Sequence, residues 1–270
     1  MAFISRRSKP AIFSLQVGLV AVFLLAWQYL PQVPALRDFS PVFDPFFVSS
    51  PSRVFERVVD MSTGREGSDL IWPYLRDTLK STFLGVAIGA ALGAGAGLLL
   101  SNSPYAKRVV SPFISFFNSA PRIAFVPVFV IIAGPTTTAS VLTAVFVIFF
   151  LVFYNAYSGG DSVPQPTLQN ARLLGASSTE IMTKVRLPYV LVWTFASVPN
   201  AISFGLVAVV TAEILTGRSG MGRLLFNSIS SVDSTLTFTV VLFLSVIGAA
   251  LVALADVVRR RALHWWESAS

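Results

Sequence analysis

The sequence predicts an all-α integral membrane protein with six transmembrane helices, and two observations carry this prediction. Hydrophobic residues make up 54% of the 270-residue chain and charged residues only 12%, too few to cover a soluble protein of this size. Long apolar stretches also recur, and roughly 20 such residues cross the hydrocarbon core of a bilayer as one helix. The qualifying stretches are residues 12–30, 78–101, 109–133, 137–158, 189–215 and 235–258.

The first two spans have different expected roles. Residues 12–30 are too long a span for a removable signal peptide and lack a small-residue cleavage site, so we interpret them as a membrane anchor. The second span carries glycines at intervals of four, which places them on one helix face and lets another helix approach closely. We expect this stripe to form a contact inside the helical core rather than a seam between two copies. Its members are Gly85, Gly89, Gly93 and Gly97.

Prolines interrupt the third span, which contains Pro112, Pro121 and Pro127. Because proline lacks a backbone N–H and disturbs a helix interior, this span is the least regular of the six. The fifth span contains Pro199, close to the polar residues Asn200 and Ser203. Backbone broken by proline is tolerated at membrane depth where it is buried in protein or lines a water-filled cavity.

A polar segment, residues 160–188, separates the fourth and fifth spans. Pro166 is suited to the first turn of a short helix that reaches Leu174. Leu168, Ala171 and Leu174 recur at helical spacing and predict an apolar stripe on that helix. The segment therefore begins with a short helix that has one apolar side.

The second half of this segment predicts a bend and another helix. Gly175 can take the left-handed conformation that ends a helix. Ser177 and Glu180 have the spacing of a capping box, which predicts a second short helix up to about Arg186. Pro188 then opens the fifth span. We expect two short helices joined by a bend at Gly175.

Positively charged residues cluster in four segments, and these fix the expected topology. With six crossings, all four segments lie on one side of the membrane, which the positive-inside rule assigns to the cytoplasm. We therefore expect cytoplasmic N- and C-termini and an external loop over residues 31–77. The cations are Arg6, Arg7, Lys9, Lys107, Arg108, Arg172, Lys184, Arg186, Arg259, Arg260 and Arg261.

The composition also excludes several kinds of chemistry. The formal net charge of +7 reflects topology, because the chain offers no folded domain with the basic surface that a nucleic-acid partner needs. No cysteine is present, so thiolate chemistry is excluded. The only histidine, His264, stands beside Trp265 and Trp266, a group that suits the lipid headgroup layer. We expect no catalytic residue and no metal site.

The segment from Gln169 to Pro188 also resembles a known motif. Gly175 is followed by nine residues, then Val185, one further residue and Leu187-Pro188. This spacing is similar to EAA-x3-G-x9-I-x-LP, the cytoplasmic coupling loop of permease subunits of ABC importers. The run A-R-L-L-G-A-S that ends just after Gly175 resembles the A-R-x-L-G-A-S of the branch for nitrate, sulfonates and taurine. Gln169 and Asn170 depart from the usual Glu and Ala.

Two further stretches support the resemblance. Ala212-Glu213-Ile214-Leu215 followed by Gly220-Met221-Gly222 is similar to the A-E-x-(L/I) and G-L-G of that branch, with Met in place of Leu. Residues 121–134 resemble its P-x-x-A-x-x-P followed by apolar residues and glycine. The resemblance covers about residues 78–265 and implies the MetI-like core of a type I importer. It divides the chain into an anchor and external loop at 1–77, a permease core at 78–265 with the coupling loop at 160–188, and a tail at 266–270.

The resemblance implies partners and a coupling site. A dimer of ATP-hydrolysing subunits would grip the coupling loop, and those subunits would hold ATP and Mg²⁺, so this chain is expected to bind no cofactor. A second permease copy, a solute-binding protein outside the membrane and the lipid bilayer complete the expected surroundings. The residues implied in coupling are Ala171, Arg172, Leu174, Gly175, Ala176, Ser177, Glu180, Leu187 and Pro188.

Polar residues inside the spans are candidates for the solute pathway, because polarity at membrane depth is usually retained for a pathway or for helix contacts. Arg122 would favour an anionic solute if it faces that pathway; otherwise it reaches the membrane surface or caps carbonyls freed by Pro121. Glu213 supports the outer loop or gates the solute. The candidates are Asn118, Arg122, Asn200, Ser203 and Glu213.

These observations favour an importer permease for a small solute, such as a sulfonate, taurine or nitrate. A vitamin or its precursor, such as a pyrimidine or riboflavin, is an alternative within the same machinery. A secondary transporter would show internal repeats and ionisable residues at mid-depth, and no convincing repeat is present. An intramembrane enzyme would need a nucleophile and a base within reach, and the spans contain no histidine and no G-x-S-x-G motif.

Overall fold

The computed structural model describes residues 9–40, 43–65 and 69–263, and every regular element in these ranges is helical. Arg6, Arg7, His264 and the tail at 266–270 lie outside the described residues. The α-helices in chain order are α1 Lys9–Tyr29, α2 Pro34–Phe39, α3 Pro45–Val48, α4 Pro51–Thr63, α5 Ile71–Ser101, α6 Pro104–Ser119, α7 Val126–Ala133, α8 Thr137–Asp161, α9 Gln165–Leu173, α10 Ser178–Glu180, α11 Leu187–Thr216, α12 Met221–Ser230 and α13 Ser234–Ala262.

Five stretches of the described chain are long and apolar enough to cross a membrane. They are α1, α5, α8, the continuous helix from α10 through α11, and α13, and they match the first, second, fourth, fifth and sixth predicted spans. The second span begins earlier than predicted, at Ile71, and α8 and α13 extend three and four residues further than predicted, to Asp161 and Ala262. The all-helical fold is therefore confirmed, and most boundaries moved by one turn or less.

The third predicted span is not one helix. α6 ends at Ser119, a short 3-10 turn covers Arg122–Phe125, and α7 follows. The residue before a proline is pushed out of the helical region, and Ala120 accordingly has an extended backbone before Pro121. Pro127 lies in the first turn of α7, where its missing N–H does no harm. Of the three prolines in this segment, Pro112 lies inside a helix.

The described chain divides into two compact units. The first comprises residues up to 71 together with 224–242, and the second comprises 72–223 with the remainder of α13. In the first unit, the indole N–H of Trp27 donates to the Val48 carbonyl at 3.0 Å, and its ring lies 5.1 Å from that of Phe238. These contacts tie α1 to the segment that follows it and to the start of α13.

Close backbone packing organises the second unit, in which all four glycines of the predicted stripe lie against α8. A Cβ on Gly93 would stand 2.7 Å from the Phe149 carbonyl oxygen, so only glycine allows this approach. Between α8 and α11, Ile148, Val152 and Ala201 form a buried apolar cluster. Lipid tails are as apolar as these side chains, so the packing itself holds the helices together.

Aromatic side chains fix the broken third segment to α8. The rings of Phe117 and Phe150 stack with centroids 4.9 Å apart, and Phe125 lies 4.9 Å from Phe146. Phe129 on α7 lies 5.3 Å from the same Phe146 ring. Offset and tilted aromatic pairs at these separations are attractive beyond the area they bury. The two short helices thus keep a defined position without being continuous.

Candidate functional site

The first half of segment 160–188 forms the short helix that the sequence predicts. α9 has Pro166 in its first turn and ends in a Schellman motif. The N–H of Ala176 donates to the Ala171 carbonyl at 3.0 Å, and the N–H of Gly175 donates to the Arg172 carbonyl at 3.0 Å. Gly175 has a φ of +84°, the left-handed conformation that glycine adopts without strain.

The capping box predicted for Ser177 and Glu180 is also present. The Ser177 hydroxyl accepts from the Glu180 N–H at 3.3 Å, and a Glu180 carboxylate oxygen accepts from the Ser177 N–H at 3.0 Å. Lys184 donates to the other carboxylate oxygen at 2.9 Å. Glu180 therefore holds the start of a helix, whereas the exposed Arg172 remains available at the surface.

The second short helix does not end near Arg186 as expected. A widened π-helical turn, Ile181–Arg186, joins α10 to α11, and the helix is continuous from Ser178 to Thr216. A proline in a helix clashes with the carbonyl four residues earlier, and the wide turn covers that position before Pro188. Leu187 and Pro188 lie in the first turn of α11.

A small apolar cluster lies under the bend, formed by Val163, Leu168 and Ile181 with Ala171 against them. Leu174 does not complete the predicted stripe, because 88% of its surface is exposed. Its neighbour Leu173, which was not among the expected coupling residues, is 85% exposed. We call residues 165–186 the elbow, and Arg172, Leu173, Leu174 and Gly175 the elbow tip. The two exposed leucines of the tip lie beside the Arg172 cation, and the apolar cluster around Leu168 packs beneath them.

Arg186 belongs to the basic segment between the fourth and fifth spans, yet its side chain is buried. Only 9% of its surface is exposed. One guanidinium N–H donates from Nη1 to the Gly160 carbonyl oxygen at 2.7 Å. No local pattern announces this contact, because Gly160 precedes Arg186 by 26 residues.

The other end of α11 holds Glu213, which is buried with 2% of its surface exposed. The Thr78 hydroxyl donates to its carboxylate at 2.8 Å, and the Gly222 N–H donates to it at 3.0 Å. The Thr78 oxygen in turn accepts from the Met221 N–H at 2.8 Å. A Cβ on Gly222 would stand 2.6 Å from that of Glu213. Glu213 thus fastens the turn after α11 to α5.

The five pathway candidates lie on three elements. Asn118 lies near the end of α6, and Arg122 begins the 3-10 turn after the break. Asn200 and Ser203 lie on the exposed side of α11, where the Ser203 hydroxyl donates to the Pro199 carbonyl at 3.3 Å. Glu213 lies thirteen residues beyond Asn200 on the same helix, about 20 Å away along its axis. The candidates do not form one cluster, because Glu213 lies at the far end of α11.

Curated relatives similar to this chain differ in the solutes named for them. The taurine transport system permease protein TauC of Escherichia coli is 27% identical over 210 residues, which cover 77% of this chain and 74% of the relative. The nitrate import permease protein NrtB of Leptolyngbya laminosa is 22% identical over 77% of this chain and 75% of its own length. The riboflavin transport system permease protein RibX of Chloroflexus aurantiacus is 23% identical over 73% and 74%.

Solved structures show the same fold. An amino acid ABC transporter chain superposes with a TM-score of 0.61 at 21% identity, over 75% of this chain and 98% of that one. A chain of the MetNI methionine ABC transporter, in an inward-facing conformation, gives a TM-score of 0.59 at 20% identity, over 68% and 92%. The core is therefore that of MetI-like permeases.

The family assignment follows from the sequence match itself. Residues 81–264, well over half of the chain, match the family described as binding-protein-dependent transport system inner membrane component. The match begins inside α5 and includes the elbow, Glu213 and α13. The protein belongs to this family and is a permease subunit of an ABC importer, a multi-pass inner membrane component that does not itself hydrolyse ATP.

Proposed function

We propose that the elbow tip is the surface that the ATPase subunit grips, and that the chain imports a small anionic solute such as a sulfonate, taurine or nitrate. The exposed pair Leu173 and Leu174 on the Gly175 bend is the observation that carries the first part. Adjacent apolar side chains exposed to water mark interaction sites, and the fully buried core of an interface is more apolar than its rim.

The base of the elbow makes the tip suitable for transmitting force. The Schellman motif and the capping box fix the backbone on both sides of Gly175, and the cluster around Leu168 packs beneath it. The helix that begins at Ser178 then continues directly into the membrane. Displacement of the tip by a closing pair of ATPase subunits reaches the span with little local bending. ATP and Mg²⁺ belong to those partners, because the sequence contains no G-x-x-x-x-G-K-[ST] loop.

A second copy of the chain completes the pathway in this proposal. Asn200, Ser203, Phe204 and Val207 form an exposed stripe on α11 at intervals of three and four residues. Exposed polar side chains at mid-membrane depth are costly against lipid and are suited to a path or to a facing helix. Twofold pairing also supplies two elbow tips, one for each subunit of an ATPase dimer.

The remaining surroundings follow from topology. In this proposal the elbow and both chain termini lie in the cytoplasm, because six crossings put the four basic segments on one side and the positive-inside rule assigns that side to the cytoplasm. Segment 31–77 and the turn fastened by Glu213 then lie outside, where a solute-binding protein delivers the solute. We keep residues 78–265 as the transport core and residues 1–77 as anchor and external loop.

The solute class rests on the sequence resemblance and on Arg122. An arginine within an apolar segment favours an anion if it faces the path. Relatives named for riboflavin and formylaminopyrimidine cover similar shares of the chain, so a vitamin precursor is the second candidate. Equilibrium binding of taurine, nitrate and riboflavin to the importer's own solute-binding protein separates the two. Tight binding of riboflavin alone would overturn the anion proposal.

The docking proposal is tested by cross-linking, because the chain contains no cysteine and single cysteines can be introduced cleanly. We expect Leu174→Cys to cross-link to the co-expressed ATPase subunit through a short reagent that joins its thiol to a lysine amine of the partner. Leu215→Cys, at the opposite end of α11 and 55% exposed, is the matched control and is expected to form no such product. Equal cross-linking at both positions, or none at Leu174, would contradict the proposed docking surface.

A further inference from the structure

The inner end of α8 is a meeting point for four other elements of the second unit. Gly160 lies against Ser101, the last residue of α5: a Cβ built on it would overlap that serine side chain. A Cβ on Gly159 would stand 2.8 Å from the Trp193 side chain on α11. Asp161 accepts both of its bonds from Lys107 on α6, at 2.8 and 2.9 Å.

Arg186 adds the fourth element, the elbow itself. Its buried guanidinium donates to the Gly160 carbonyl, one of the last carbonyls of α8. These carbonyls lack partners within their own helix and carry the negative end of its dipole, so a cation there is favourable. The Lys107 pKa is raised by its hydrogen bond to Asp161, which shows a second cation held at the same helix end. We call this set of contacts the inner junction.

We propose that Arg186 is a positioning residue that makes the elbow and the core helices move as one body during transport. This inference rests on the proposed docking of an ATPase at the elbow tip. A buried charge separated from its acceptor is strongly destabilising, so the elbow cannot slide along α8 when it is pulled. The junction instead passes the displacement to α5, α6 and α8 together.

A purely stabilising role of Arg186 would give a different experimental result. If Arg186 only caps α8, replacing it lowers the stability of the chain but leaves the response to ATP unchanged in the molecules that remain folded. If it positions the elbow, the chain still binds its ATPase through Leu173 and Leu174, while the outer ends of the core cease to respond. Assembly and response must therefore be measured separately on the same sample.

The experiment uses the whole importer, reconstituted in nanodiscs from the permease and its ATPase. A spin label on Leu215→Cys reports the distance between the outer ends of the two α11 copies, with and without ATP and vanadate. We expect Arg186→Met to retain ATPase binding but to lose most of the ATP-dependent distance change. We expect Arg186→Lys, which keeps the charge and a donor, to recover part of it.

Arg108→Gln is the matched control, because Arg108 is an exposed cation on the same side of the second unit. We expect its distance change to equal that of the unsubstituted chain. An undiminished change in Arg186→Met would overturn the role of the junction. If Arg186→Met does not assemble, Arg186→Gln, which loses the charge, carries the test, and a full distance change in that variant is equally contradictory. Absence of any ATPase binding by the unsubstituted chain would instead refute the docking proposal.

Discussion

The continuous helix from Ser178 to Thr216 is flanked by a glycine turn at each end, and the two turns differ in how closely they are packed. At the inner end, a Cβ on Gly175 would meet nothing within 4 Å, and the adjacent leucines are exposed. At the outer end, Gly220 and Gly222 press against a buried carboxylate and leave no room for a side chain. One turn projects into open space, and the other is pinned to the core.

The comparison shows that glycine is used for two different physical reasons in one protein. Gly175 is required for its backbone angle, which other residues adopt only with strain. Gly222 is required for space, because its backbone N–H must come within 3.0 Å of Glu213. In the proposed mechanism, the Gly175 turn meets the ATPase, whereas the turn at residues 220–222 fastens the helix to α5.

The largest expected effect on stability comes from removing the buried Glu213 carboxylate, which fastens the turn after α11 to α5. Glu213→Ala leaves the Thr78 hydroxyl and the Gly222 N–H without their buried acceptor, and each unsatisfied group costs about 1–3 kcal/mol. We expect a fall of several degrees in the thermal unfolding midpoint of the detergent-solubilised chain. Glu56→Ala, at an exposed carboxylate on α4, is the control and should leave the midpoint unchanged. Similar midpoints for both variants would show that Glu213 does not hold this turn in place.

A matched pair of glycine substitutions sharpens the contrast. In Gly222→Ala, the new Cβ overlaps backbone of α11, and overpacking of this kind costs about 1–3 kcal/mol. In Gly175→Ala, only the left-handed backbone is penalised, at about 1–2 kcal/mol, and Asn should be tolerated better than Ala. The thermal unfolding midpoints of Gly222→Ala, Gly175→Ala and Gly175→Asn measure this order, and we expect the midpoint to rise in that sequence. A better tolerance of Ala than Asn at position 175 would contradict the backbone explanation.

A smaller effect is expected at the capping box. Ser177→Ala removes the side-chain acceptor of the Glu180 N–H, a change that costs about 1 kcal/mol. Amide hydrogen exchange should quicken locally over α10 and the turn that follows, with little change in α5 or α8. Ser178→Ala, one residue into the helix, is the control. Equal exchange in both variants would show that the cap does not hold the elbow.

The smallest effect on stability is expected at the elbow tip, where the double variant Leu173→Ser and Leu174→Ser removes side chains that are already in water. We expect an unfolding midpoint within error of the unsubstituted chain, together with a loss of ATPase co-purification. Measuring both quantities on this double variant separates an effect on folding from an effect on docking. Retained co-purification at normal yield would show that the partner grips another surface.

Local patterns in the sequence were sufficient for features that a few neighbouring residues determine. The Gly175 bend and the Ser177–Glu180 box depend on hydrogen bonds between residues at most five apart, and both are present as predicted. The apolar spans were recognisable because each is uninterrupted for at least one bilayer thickness.

Features that depend on distant partners were missed. Nothing near Arg186 in the sequence distinguishes a buried cation from a solvated one, because its acceptor belongs to another helix. The exposure of Leu173 depends on which side of α9 meets Val163 and Ile181. The third predicted span is broken into two helices for a local reason that the sequence contains. Pro121 pushes the residue before it out of the helical conformation.

The unbroken helix from Ser178 to Thr216 has a consequence for geometry. Its 39 residues span roughly 58 Å at 1.5 Å each, almost twice the hydrocarbon thickness of about 30 Å. At the usual modest tilts, such a helix also exceeds the roughly 40–45 Å of a bilayer with its headgroups, so one end projects into water. In the proposed mechanism, the ATPase therefore contacts the projecting end of the helix away from the lipids, and its displacement reaches the membrane-spanning part directly.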